Sequence, residues 1–192
     1  MKISIDISKS KQSEKLIFRQ GFLDKLSETI FQLIVIIALL YISGLEFYYD
    51  LIRNEPIEFS LVLLVLALLT SGIIIYSVKN LNSLKRIVGL SRNVNSALII
   101  KIAERNKWNI FSHNEQATII NFSWENPGTD WGKQMTILYD GNDVLVNCIS
   151  FALFSTPSPF HWFANKRKIN KLQTEFENEI KNVLQQHIKT ML

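Results

Sequence analysis

His113, His161 and His187, the lone Cys148, and the pair Asp140 and Asp143 are the side chains here whose types could carry chemistry. An imidazole beside a thiol makes a thiolate nucleophile with its base. Histidines with a cysteine make a zinc ligand set, and two neighbouring carboxylates can divide proton transfer between them. The spacing supports none of the three as a motif. The histidines are far apart, Cys148 stands between Val146 and Ile149 where a cysteine acts as a small buried hydrophobe, and both aspartates are explained by the turn they flank. No Walker loop, G-x-G-x-x-G, C-x-x-C, H-E-x-x-H or G-x-S-x-G occurs. No catalytic, cofactor-binding or metal residue is assigned, and no cofactor is expected. An enzyme remains the rival class only if scattered residues converge, the candidates being His113, Glu115, Asp140, Cys148 and His161.

The cluster that does combine types is SPFHWFANKRKINK, Ser158 to Lys171. Phe160, Trp162 and Phe163 stand just before Lys166, Arg167, Lys168 and Lys171, a pairing of rings and cations suited to a lipid interface. The plain alternative is a helix start whose rings dock on a sheet and whose lysines are solvated. Stacking of nucleic acid bases uses the same residue types and ranks last. Trp162, Lys166, Arg167, Lys168 and Lys171 are therefore the candidate contact for anionic lipid or a protein partner.

Two apolar segments must position whatever this cluster does. Phe59 to Val78 contains no Asp, Glu, Lys, Arg or His and is apolar on every side, whereas a surface helix of a soluble protein keeps a polar face. A helix of about 20 residues matches a bilayer's hydrocarbon core of about 30 Å. Thr29 to Leu45 is a second uncharged run, at the short end of that range, and residues 46–58 between the two suit a turn between antiparallel helices. The expectation is a transmembrane hairpin with spans at about 29–45 and 59–78 and a short outer loop, 46–58. A cleaved leader fits the first run poorly, since acids precede it and no A-x-A-like site follows. Gln32, Ser43, Thr70 and Ser71 are too sparse a polar set for a pore or transporter subunit built from hairpins, a third class that ranks below the others.

Lys9, Lys11, Lys15, Arg19 and Lys25 precede the first run, Lys79, Lys85, Arg86 and Arg92 follow the second, and Arg53 alone lies between. The positive-inside rule then puts both termini in the cytoplasm, in what we expect to be a bacterial inner membrane. Phe47, Tyr48 and Tyr49, with Phe59 and Tyr76, suit an aromatic belt. Net charge is +4 for the whole chain, and after Val78 fourteen Lys and Arg face nine Asp and Glu.

Residues 1–28 read as a cytoplasmic segment and 79–192 as a cytoplasmic α+β domain. Leu81, Leu84 and Val88 at helical spacing extend the second span as a stalk up to Gly89. Ser91 caps an amphipathic helix with Val94, Ala97, Leu98 and Ile102 on one face. Strands follow at 117–124 and on either side of Asp140-Gly141-Asn142-Asp143, a tight hairpin turn, with Trp108 to Ser112 as a further strand. Pro157 and Pro159 close the sheet region. A long helix over about 165–189 then covers one face with Ile169, Leu172, Phe176, Ile180, Val183, Leu184 and Ile188. The fold expected is a helix, a three- to four-stranded antiparallel sheet and a long C-terminal helix, behind a membrane hairpin. The function expected is a membrane-tethered, non-enzymatic interaction or regulatory module. Its partners are the lipid bilayer, a protein partner or a second copy of the chain, and anionic lipid; nucleic acid is not expected.

Overall fold

A computed structural model describes residues 5–19, 22–122, 132–151 and 161–191. Trp124, Asn126-Pro127-Gly128, both prolines of the 157–159 stretch and Phe160 lie outside the described residues. In chain order the elements are α1 (Ile7–Ser13), α2 (Phe22–Arg53), α3 (Glu58–Asn80), β1 (Lys85–Val88), α4 (Arg92–Arg105), β2 (Asn109–His113), β3 (Ala117–Phe122), β4 (Lys133–Asp140), β5 (Asp143–Ser150) and α5 (Trp162–Met191). The chain divides into two compact units, one of residues 20–80 and one that joins residues up to Arg19 with residues from Leu81 onward.

In the first unit, α2 and α3 are a helical hairpin. Each contains a stretch long and apolar enough to cross a membrane, Gln32–Arg53 and Glu58–Asn80. Helix α2 continues through Glu46 and Asp50 to Arg53, so only residues 54–57 connect the helices, a tighter turn than the expected 46–58 loop. Asn54 makes that stop with a positive φ of 52°, a conformation asparagine tolerates better than most residues. Ser60, Ala67, Ser71, Ile74 and Ser77 form the buried stripe of α3, and small side chains of this kind let helices approach closely. Around them Leu61, Val62, Leu66, Leu69 and Ile73 are exposed.

The second unit is built on a five-stranded antiparallel sheet in the order β1-β5-β4-β3-β2. The hairpin β4–β5 forms because Gly141 supplies a positive φ of 60° where a side chain would be strained. Alternation along the strands sends residues to two faces. One carries Ile120, Met135, Ile137, Tyr139, Val144, Val146 and Cys148, closed by Leu98, Ile99 and Ile102 of α4 and by Leu172 and Phe176 of α5. Each such large apolar side chain contributes about 1.5–3 kcal/mol on full burial. The other face carries Leu138, Leu145 and Ile149 and is closed by Leu16 and Leu84, with Ile5, Ile7, Phe18 and Leu81 packed around them.

Residues 5–19 are thus a strap folded onto the sheet. Its ends pair with each other through the Ile5–Phe18 bridge, and the Asp6 amide donates to the Ile17 carbonyl at 2.8 Å. Between them α1 starts at Asp6, whose carboxylate accepts from the Lys9 amide at 3.2 Å, and stops at Glu14, which sits in the left-handed region with φ 51°. The strap then runs antiparallel to the entry of β1, bridging Lys15 to Ser83.

The stretch expected as a helical stalk after α3 is strand β1 instead, the fifth strand of the sheet. Leu84 joins the strap face and Ile87 the helix face, while Val88 is 76% exposed. Leu81, Leu84 and Val88 are spaced like a helical stripe, but Ile87 has its own pocket on the opposite face, and pairing with Val144 of β5 decides the outcome.

Candidate functional site

The ring-and-cation cluster occupies the first three turns of α5. Its first turn is anchored by Ser150 at the end of β5, whose hydroxyl donates to the Asn165 Oδ1 at 2.7 Å, with both side chains buried. From that anchor the helical period separates the cations into two groups. Lys168 reaches over the Phe122 ring at 4.7 Å and Lys171 over the Trp108 ring at 5.7 Å, and those two rings pack edge to face at 5.5 Å. Lys171 also lies 3.9 Å from the Glu175 carboxylate. These lysines cover the end of β3 and the entry to β2. The second group points elsewhere: Lys166 sits 5.4 Å over the Trp162 ring, Trp162 packs against Phe163 at 4.5 Å, Phe163 is 65% exposed, and Arg167 is exposed. Phe163, Lys166 and Arg167 therefore form the outward part of the cluster, with the half-buried Trp162 beneath Lys166.

The same end of the sheet receives the chain from the hairpin. Asn147 of β5, itself buried, donates from Nδ2 to the carbonyls of Leu81 at 2.9 Å and Ser83 at 2.7 Å. The Leu16 amide donates to the Asn82 carbonyl at 2.7 Å. The strap therefore meets the chain at Asn82, just where that chain enters the sheet beside the last residues of β5, the residues that anchor α5.

The opposite end is an ion cluster. Arg86 of β1 donates to Glu14 at 3.0 Å, Asp143 at 2.8 Å and Asp140 at 3.2 Å. Hydrogen bonds to Asp143 and Glu14 push the Arg86 guanidinium still further above its usual range. Nearby the Lys11 ammonium donates to the Tyr139 carbonyl, and burial lowers its pKa although Asp140 opposes the shift. Asp140 and Asp143 thus serve as partners of Arg86 at the turn.

Between α4 and α5, Lys101 and Arg105 donate to Glu179 at 2.8 and 2.6 Å, and Arg105 and Asn106 donate to Glu175, each at 2.7 Å. The Lys101 and Arg105 hydrogen bonds hold the Glu179 carboxyl below its ordinary value against a smaller opposing effect of burial.

The enzyme candidates do not gather. His161 is exposed just before α5. Cys148 is buried in the helix-side core, Asp140 is in the Arg86 cluster, and Glu115 is exposed in the β2–β3 connection. His113 meets two hydroxyls instead: its Nδ1 lies 2.8 Å from Thr118 Oγ1 and its Nε2 3.4 Å from Ser96 Oγ. Thr118 in turn lies 2.7 Å from the buried Tyr139 hydroxyl, whose pKa is raised by burial against the hydrogen bonds of Thr118 and Ser96. This chain satisfies a phenol that the core would otherwise leave unpaired. Among the described residues no group of three or more His, Cys, Asp or Glu is placed to hold a metal ion. Arg86, Asn147 and the strap had no local signal in the sequence, because each acts on residues far away in the chain.

No protein-family model, curated protein or solved structure matches the chain.

Proposed function

We propose that this chain is a membrane-anchored module that works by binding and not by catalysis. The helices α2 and α3 cross the bilayer, and the unit made of residues up to 19 and from 81 onward lies on its cytoplasmic side. One observation carries this. The sheet unit is assembled from both flanks of an apolar hairpin, as Leu16 pairs with Asn82 and Leu84 with Glu14, which requires the hairpin's two ends to return to one side. An even number of crossings satisfies that requirement and a single crossing does not. The exposed apolar side chains of α2 and α3 support the same account, because aliphatic side chains such as Leu66, Leu69 and Ile73 gain nothing from water and are matched by acyl chains. The basic flanks, against the lone Arg53 between the helices, supply the cytoplasmic assignment.

Alkaline carbonate extraction of membranes containing the full chain tests the anchoring. Retention in the pellet until detergent is added is expected. Release of a monodisperse chain into the aqueous supernatant would overturn the proposal.

A further inference from the structure

We infer that the outward part of the α5 cluster, Phe163, Lys166 and Arg167 with Trp162 beneath Lys166, docks the module onto the anionic surface of the bilayer that its hairpin crosses. The inference rests on the anchoring proposed above and adds a second, reversible contact to it.

Three observations converge on one end of the sheet. The chain from the hairpin enters there, fixed by Asn147 on Leu81 and Ser83, and meets the strap through Leu16 on Asn82. The first turn of α5 is held there by Ser150 on Asn165, so Trp162 and Phe163 stand at the end of the sheet to which the hairpin is covalently joined. The side chains at that place have the chemistry of a headgroup layer. Phe163 is a ring left 65% exposed, in edge contact with Trp162, and Lys166 and Arg167 are exposed cations one turn further on. Rings of this kind settle at headgroup depth, and long basic side chains keep their charge at the phosphates while their stems lie along apolar surface.

At the far end the Arg86 guanidinium is met by Glu14, Asp140 and Asp143, so that cation is already neutralised. Within the cluster Lys171 has Glu175 beside it and Lys168 is laid over Phe122. Lys166 and Arg167 are the pair presented outward. Each such charge near an anionic leaflet multiplies the docked population roughly five-fold, so two of them change it about 25-fold. The contact weakens with salt, because surface charges beyond about 8–10 Å are screened at physiological ionic strength.

The test uses the full chain with Cys148→Ser, reconstituted into nanodiscs of phosphatidylcholine with or without phosphatidylglycerol. A nitroxide is placed at Phe163→Cys or, as the far-end comparison, at Val88→Cys, and its accessibility to oxygen and to a water-soluble nickel chelate is measured. With phosphatidylglycerol present, the label at 163 is expected to be reached by oxygen and shielded from nickel. It returns to aqueous accessibility in phosphatidylcholine alone, in high salt, or when Lys166→Gln and Arg167→Gln are combined, while the label at 88 stays aqueous throughout. An aqueous label at 163 in every disc overturns the docking and leaves the anchoring intact. Failure of the chain to enter discs at all overturns the anchoring, and the docking with it. Combining Lys168→Gln with Lys171→Gln serves as the contrast: those lysines belong to the Phe122 and Trp108 rings, and an equal loss of docking from that pair would overturn the division of the cluster.

Discussion

The amide of Leu16 donates to the carbonyl of Asn82 at 2.7 Å, joining two segments between which the entire apolar hairpin is inserted. A sheet-bearing unit completed in this way is a closed ring of chain with the hairpin as its insert. The strap is then both a cover for one sheet face and the lead into α2.

Asn147 holds that junction. Its Nδ2 serves the carbonyls of Leu81 and Ser83, and removing a buried donor that serves two acceptors costs about 1–3 kcal/mol. Asn147→Ala is expected to speed hydrogen exchange at the Leu16 and Leu84 amides about 5- to 150-fold, while the β3–β4 ladder keeps its protection. Uniform acceleration across the sheet would show that Asn147 supports the whole unit and not the junction.

Gly89 follows β1 in a crowded corner. A Cβ there would stand 2.6 Å from Asn95 Oδ1 and 2.7 Å from the Asn142 carbonyl, and the Asn95 amide cannot retreat without losing its bonds to Leu90 and Asn142. Gly89→Ala is expected to destabilise the sheet unit by about 1–3 kcal/mol through overpacking, read as a lower denaturant midpoint. Gly72→Ala, where nothing lies within 4 Å, leaves that midpoint unchanged.

Acid should loosen α5 from α4. The carboxyl of Glu179 is held below its ordinary value by Lys101 and Arg105, so the unfolded chain takes up the proton first. The stability this provides is fully present above the ordinary glutamate value of about 4.3 and is lost as pH falls through the lower folded-state value. Exchange of amides in the second half of α5 should rise in that acid window. Glu179→Gln should remove part of that pH dependence, and an unchanged profile in this variant would contradict the assignment.

Arg86 clamps the strap to the β4–β5 turn through Glu14 and Asp143. The groups are partly exposed, and the expected cost of Arg86→Gln is about 1 kcal/mol or less, diminishing with salt. Limited proteolysis near residues 12–15 reports it: faster cleavage in the variant at low salt, with the difference narrowing at high salt.

What could be read from the sequence follows the range of the interactions involved. The turn at Gly141 and the stripe Leu172, Phe176 and Ile180 depend on residues a few positions apart, and both are where the pattern puts them. Strand β1 depends on β5, more than fifty positions away, and its Leu84 and Val88 imitate a helix until Ile87 is seen to face the other side. The strap is harder still, since Ile5, Leu16 and Phe18 find their sheet face across the hairpin. In the candidate site, the composition identified the ring-and-cation cluster, but the division of Lys168 and Lys171 from Lys166 and Arg167 appears only when Phe122 and Trp108 are placed beneath α5.

Labelling with a membrane-impermeant maleimide tests the central claim most directly. In a Cys148→Ser chain, single cysteines are placed at Gln12 in the strap, Asn54 between α2 and α3, and Lys181 on α5. In intact cells Asn54→Cys is expected to react at once, while Gln12→Cys and Lys181→Cys react together and only after permeabilisation. If Gln12→Cys and Lys181→Cys report opposite sides, or if Asn54→Cys shares theirs, the one-sided, two-crossing arrangement is contradicted.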